Sequence, residues 1–154
     1  MALRVVVVIP TLNEEKAIGG VIDGIKDSLG TYNYDCQVLV VDGHSADRTV
    51  ELASGRGAAV IYQENTGYGD ALLSGFRYAT GELDADFIVM LDGDGAYDPK
   101  ELPRILQPLL ERKADFVIGN RLRGLEKGSM TFTNRVGNRL LSWVTSGILK
   151  IGIG

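Results

Sequence analysis

Five short apolar runs punctuate the chain: LRVVVVI (3–9), CQVLVV (36–41), AAVIY (58–62), DFIVML (86–91) and ADFVIG (114–119). Their valines and isoleucines follow one another with little polar alternation, as strands buried on both faces of a parallel sheet do. Between the runs, apolar positions recur at helical spacing. In NEEKAIGGVIDGIKDSL, Ala17, Ile18, Val21, Ile22 and Ile25 share one face, and Glu14 and Glu15 stand where a helix start would favour acid. SADRTVELASG opens on a Ser45 cap, carries Asp47 in its first turn and ends near a glycine. GDALLSGFRYATG and DPKELPRILQPLLERK repeat the pattern. Strand followed by helix, several times over, predicts an α/β doubly wound fold, a mostly parallel central sheet flanked by helices.

The polar residues are as regular as the apolar ones. PTLNEE follows the first run, DGHSADRT the second, QENTGYGDA the third, DGDGAYDP the fourth and NRLRG the fifth. In an open parallel sheet ligands bind just beyond the carboxyl ends of the strands, so all five clusters are expected along one edge. There, Asp92 and Asp94 point to the same side of an extended segment, about 7 Å of backbone apart. Carboxylates that close repel one another unless a cation intervenes, and a hard divalent ion, Mg²⁺ or Mn²⁺, is the economical answer. Gly93 and Gly95 leave the backbone open to a bulky ligand. An EF-hand reading fails, because Tyr97 stands where that loop needs glycine and Pro103 where it needs glutamate. An aspartate-nucleophile phosphatase carries its paired aspartates on the first strand, not the fourth. A solvated acidic turn is the bland alternative, and the position in register with four other polar clusters weighs against it. GYGDAL lacks the third glycine of a dinucleotide fingerprint and follows the wrong strand.

Composition narrows the rest. The 154 residues suffice for one domain with a core, and a net charge of −4 supplies no basic field for nucleic acid. A single cysteine, Cys36, excludes an internal disulfide and a cysteine-based zinc site, and a cytoplasmic setting is expected. The start, MALRVVVVIPTLNEE, reads as a first strand rather than a signal peptide, and no apolar run reaches the roughly 18–20 residues of a membrane span.

VVIPTLNEEKAIGGVI, VLVVDGHSADRT, GYGDALLSGF, FIVMLDGDGAYDP and VIGNR, in this order and spacing, resemble the family 2 glycosyltransferases of GT-A fold, and among them the dolichyl-phosphate and polyprenyl-phosphate sugar synthases. The resemblance extends to about Arg139. It implies a Rossmann-like catalytic domain over 1–133 that binds a UDP- or GDP-linked sugar. Pro10, Asn13 and Glu14 would border the nucleoside, Asp42 would contact base or ribose, and Gly69 and Asp70 would shape the nucleotide floor. Asp92 and Asp94 would hold the divalent cation, and Arg121 and Arg135 would face phosphates of donor or acceptor. The mannose enzymes of this group continue the aspartate pair with leucine and a metal-holding glutamine. Here the glutamine position is Ala96, so Asp98 or water would complete the shell, and the sugar does not carry over. A later acidic base and an aromatic RW motif, found in the polymerising enzymes, are missing from the sequence, which argues against processive synthesis.

The expected reaction is transfer of one sugar, with inversion, to an acceptor, foremost a polyprenyl phosphate. Such an acceptor is already anionic and needs arginine more than a base; an alcohol acceptor would need one, for which Asp98 is the candidate. Residues 134–154 read as an amphipathic helix with Leu140, Leu141, Val144, Ile148 and Leu149 on one side and Trp143 at headgroup level. That face suits peripheral membrane contact, packing on the sheet, or a second copy in a homo-oligomer. The closing KIGIG suggests a chain cut from a longer, anchored protein. The competing readings are a sugar nucleotidyltransferase, whose glycine-rich basic signature PTLNEEKAIGG lacks, and a non-catalytic nucleotide-sugar-binding module.

Overall fold

The computed structural model describes residues 3–32 and 34–119. The chain divides into two compact units, Met1–Val117 and Ile118–Gly154, and the fold described is that of the first. The expected boundary at 133/134 and the helix of 134–154, with Arg121, Arg135 and Arg139, lie outside the described residues.

Four strands, β1 (Leu3–Thr11), β2 (Tyr34–Asp42), β3 (Ala59–Tyr62) and β4 (Phe87–Met90), alternate with helices α1 (Ile18–Leu29), α2 (Thr49–Ser54), α3 (Tyr68–Gly81) and α4 (Leu102–Leu110). A single 3-10 turn, Pro99–Glu101, leads into α4. All strand pairs are parallel, in the order β3-β2-β1-β4. The register runs Leu3 opposite Tyr34 through Thr11 opposite Asp42, with Val5 opposite Phe87 and Leu39 opposite Ala59 as the outer pairs begin.

The unbroken valine run explains why β1 is central. Side chains alternate across a strand, so Val5, Val7 and Ile9 enter one apolar layer and Val6 and Val8 the other. All five are fully buried. The first layer is closed by α1 (Ile18, Val21, Ile22, Ile25, Leu29), α2 (Ala53) and α4 (Leu102, Leu106), the second by α3 (Ala71, Ala79). A helix can seat closely only where its own side chain is absent. On α3 that position is Gly75, whose absent Cβ would lie 2.5 Å from Val8 Cγ1 and 2.9 Å from Val41 Cγ2.

Four sequence expectations need correction. Residues 114–119 form no strand, and Phe116 is 78% exposed. An apolar run becomes a strand only when a neighbouring edge accepts its hydrogen bonds, and none does so among the described residues. Strands β3 and β4 are only partly buried, because each has a partner on one side alone among the described residues. The first helix begins at Ile18 with no acid in its first turn, so the helix dipole does not account for Glu14 or Glu15. Nor does Ser45 cap α2: that helix starts at Thr49 with Arg48 before it and no side-chain cap. The polar residues of both segments are held by each other instead.

Candidate nucleotide and metal cleft

Because the sheet is parallel, the carboxyl ends of all four strands open on one edge, where a cleft of about 430 Å³ is lined by residues from every strand end. In strand order these are Gln63 after β3, Gly43 after β2, Pro10, Thr11, Leu12 and Glu14 at and beyond the end of β1, and Asp92, Gly93 and Asp94 after β4. Gly67, Tyr68 and Ala71 form the wall contributed by α3. The volume is that of a small-molecule site, and the three strand spacings from β3 to β4, each about 4.8 Å, suit an elongated ligand.

The wall at the β2 end of the cleft is a latch between two loops. Asp42 is fully buried at the last residue of β2 and is bonded on both oxygens: Oδ2 accepts the Ser45 N–H at 2.7 Å, and Oδ1 accepts the hydroxyls of Ser45 (2.6 Å) and Thr11 (3.1 Å). Asn13, at φ 59°, donates its N–H to Ser45 Oγ and accepts the Ala46 N–H on its side chain, each at 2.8 Å. Glu14 N–H donates to Thr49 Oγ1 and Glu15 N–H to Asp47. The polar residues that resembled helix caps thus fasten PTLNEE to DGHSADRT.

Desolvation works to raise the Asp47 carboxyl, but hydrogen bonds from the Thr49 hydroxyl and from the Thr49 and Glu15 backbones outweigh it, and the group sits below the ordinary aspartate range. A depressed folded-state value means that its contribution to stability is present above the unfolded value, about 3.9, and is lost as pH falls through the folded one. Asp47→Asn is therefore expected to flatten the acid limb of stability, compared with the parent chain by urea midpoints from about pH 5 downward.

At the other end, Asp92 and Asp94 follow the last paired residue of β4. Gly93 between them has no room for a side chain, since a Cβ would stand 2.8 Å from Thr11 Cγ2 and 3.3 Å from Ile9 Cγ2. Asp94 is exposed, and its Oδ1 accepts the Ala96 N–H at 2.8 Å around Gly95, which takes φ 77°. Asp92 Oδ1 accepts the Tyr68 hydroxyl at 2.8 Å. Glu14 completes the acidic end: desolvation, then the charges of Asp94 and Asp47, push its carboxyl up.

Among the described residues, three carboxylates and no lysine or arginine line this cleft. Among the described residues no three acidic, histidine or cysteine side chains form a metal cage. Asp92 and Asp94, which both line the cleft although residues 93–94 form a turn and not the extended segment expected, nevertheless suit Mg²⁺ or Mn²⁺, which commonly take one or two protein carboxylates and fill the remaining positions with substrate phosphate and water.

Of the residues expected from sequence, Pro10, Glu14, Asp92 and Asp94 line the cleft. Asn13 and Asp42 lie in the latch behind it. Gly69 and Asp70 sit in the first turn of α3, where Asp70 accepts the backbone and side-chain N–H groups of Asn65 at 2.8 and 3.1 Å; these bonds hold its carboxyl below the usual range. Asp98 is also outside the lining: its Oδ1 accepts the Lys100 N–H at 3.0 Å and caps the 3-10 turn. Ala96 is exposed beside it. Arg121 and Arg135 are outside the described residues. Sequence reasoning missed Gln63, Gly43, Gly67 and Tyr68 individually, although each belongs to a polar cluster assigned to this edge.

A parallel sheet with its acidic pair after the fourth strand and its cleft at the carboxyl edge is the architecture of a GT-A type fold. The chain belongs to the glycosyl transferase family 2, matching it over residues 6–141. It is 40% identical over 138 residues to glycosyltransferase AglJ of Haloferax volcanii, covering 90% of this chain and 43% of that protein. It is also 29% identical over 157 residues to the UDP-N-acetylglucosamine–dolichyl-phosphate N-acetylglucosaminyltransferase of Methanococcus voltae, covering 90% and 60%. Among solved structures, the Mycobacterium tuberculosis glucosyl-3-phosphoglycerate synthase in complex with Mn²⁺, UDP and glucosyl-3-phosphoglycerate matches with a TM-score of 0.58 and 32% identity, over 70% of this chain and 40% of that one. The chain thus spans about 43% and 60% of the lengths of these two curated relatives.

Proposed function

We propose that this chain is the donor-binding part of a metal-dependent, inverting hexosyltransferase that moves one sugar from a nucleoside diphosphate to a polyprenyl phosphate. The observation that carries the reading is the cleft itself, whose described residues place acid at the β4 end and no lysine or arginine in the lining. A diphosphate would be repelled there unless a divalent ion joined it to Asp92 and Asp94. The Mn²⁺ and UDP in the solved relative's structure support the donor half, and the dolichyl-phosphate relative supports the acceptor. Bound to these two carboxylates, the ion would supply charge neutralisation to the departing nucleoside diphosphate.

The protein groups have separate tasks. Gly43 and Gln63 bound the end farthest from the aspartates, where the nucleoside would lie. Asp42 keeps the loop at that end in place through its buried bonds to Ser45 and Thr11. Arg121 and Arg135 are assigned to the phosphates of donor or acceptor, and a phosphate acceptor needs no general base because it is already ionised near neutral pH. Residues 134–154 are assigned to contact with the surface of the membrane that holds such an acceptor. No helix among the described residues is long and apolar enough to cross a membrane.

Family membership removes the nucleotidyltransferase alternative. Calorimetric titration with UDP and GDP, with and without Mn²⁺, followed by a labelled-sugar transfer assay onto polyprenyl phosphate, tests what remains. Metal-dependent nucleotide binding with transfer is the expected result. Binding without transfer would reduce the chain to a donor-binding module, and binding indifferent to metal would overturn the site.

A further inference from the structure

We propose that Tyr68 is a positioning residue for the metal site: its hydroxyl, by donating to Asp92 Oδ1, sets the rotation of the carboxylate that the ion uses. The inference rests on the metal-dependent reading above and adds to it a residue from a different element.

The hydroxyl lies 2.8 Å from Asp92 Oδ1 and 3.5 Å from Met90 Sδ. An ionised carboxylate is a far stronger acceptor than a thioether, so the proton is directed to Asp92. Asp92 stands where such a donor can act on it. Regular pairing of β4 ends at Met90, and the Leu91 N–H bond to the Val8 carbonyl at 3.1 Å precedes it immediately. The terminal torsion of an aspartate is broad, so packing of the backbone alone does not orient its oxygens.

Tyr68 is in turn well mounted. It is the first residue of α3, and Gly67 before it takes φ 111°, a conformation open to glycine that turns the chain into the helix. The Asn65–Asp70 bonds brace the same turn, and Gly75 seats the helix directly on Val8 and Val41. Orientation of Asp92 is therefore tied to the sheet through a rigid helix.

The chemistry of the donor matters as much as its position. A lysine at this point would neutralise Asp92 and compete with the cation. A neutral phenol orients the carboxylate while leaving its full charge for the ion, and outer groups of this kind typically tune metal affinity by about 10- to 100-fold.

The test is Mn²⁺ binding in the presence of UDP, followed by electron paramagnetic resonance of the free ion, on the parent chain, Tyr68→Phe and Asp94→Ala. Tyr68→Phe is expected to bind Mn²⁺ about 10-fold more weakly, the low end of that range because the phenol is half exposed, with the melting midpoint of the metal-free protein unchanged. Addition of Mg²⁺ and UDP should also perturb the near-ultraviolet tyrosine absorption of the parent and not that of Tyr68→Phe. Loss of Mn²⁺ binding in Asp94→Ala with parental affinity in Tyr68→Phe would overturn the positioning role and leave the metal site standing. Parental affinity in Asp94→Ala would overturn the metal site and the inference with it. A Tyr68→Phe defect matched by a lower melting midpoint would make the hydroxyl a fold contact and would likewise overturn the proposal.

Discussion

Asp94→Ala is expected to lose Mn²⁺-dependent nucleotide binding and to lower sugar transfer by about 10²- to 10³-fold, the scale seen when a group stabilising transition-state charge is removed. The expectation follows from where the charge sits. Among the described residues the cleft is lined by Glu14, Asp92 and Asp94 and by no lysine or arginine, so loss of either acid of the pair would remove a proposed ligand and weaken the attraction for the ion. The fold has little stake in the residue: Asp94 is exposed and accepts the Ala96 N–H across an open turn, so stability should stay within about 0.5 kcal/mol of the parent. Its removal also takes away one of the two charges that raise Glu14. Calorimetry with UDP, with and without Mn²⁺, together with a thermal melt, separates the two effects. Unchanged metal-dependent affinity would contradict the site.

Gly75→Val should do the reverse, lowering stability by roughly 3 kcal/mol, as overpacking of a tight core does. The added Cβ would arrive 2.5 Å from Val8 Cγ1 and 2.9 Å from Val41 Cγ2. Both valines are fully buried on the two central strands and cannot step aside, so α3 must lift from the sheet. Because α3 carries Tyr68 and Ala71 of the cleft wall, nucleotide binding should weaken as well. Gly69→Ala is the matched control. A Cβ there meets nothing within 4 Å, and alanine is the better helix former, so a gain of about 0.5–1 kcal/mol is expected. Urea unfolding of the pair would show whether the close approach at Gly75, rather than glycine content as such, is what α3 depends on.

Much of this architecture was legible in the one-dimensional pattern. Runs such as VVVV can be buried only between two layers, and β1 supplies Val5 and Val7 to one layer and Val6 and Val8 to the other. The spacing of Ile18, Val21, Ile22 and Ile25 marked the buried face of α1 correctly. Family resemblance and the pairing of Asp92 with Asp94 led to the acidic end of the cleft. Other readings failed where a residue's partner lay far away in sequence. Ser45 and Asp47 look like caps to a local rule, but they bond to Asn13 and Glu15 across the sheet edge, because parallel strands bring those loops together.

Periodicity and composition are local quantities, and they suffice for which segments can be strands, which faces are apolar and on which edge the polar clusters gather. Whether an apolar run such as 114–119 pairs, which of several polar residues face the ligand, and which ones brace those that do are set by contacts between segments. Asp42 and Asp92 illustrate the division. Each is the first polar residue after an apolar run, yet three internal hydrogen bonds draw Asp42 into the latch, while Asp92 is held at the cleft by a tyrosine 24 positions earlier in the chain.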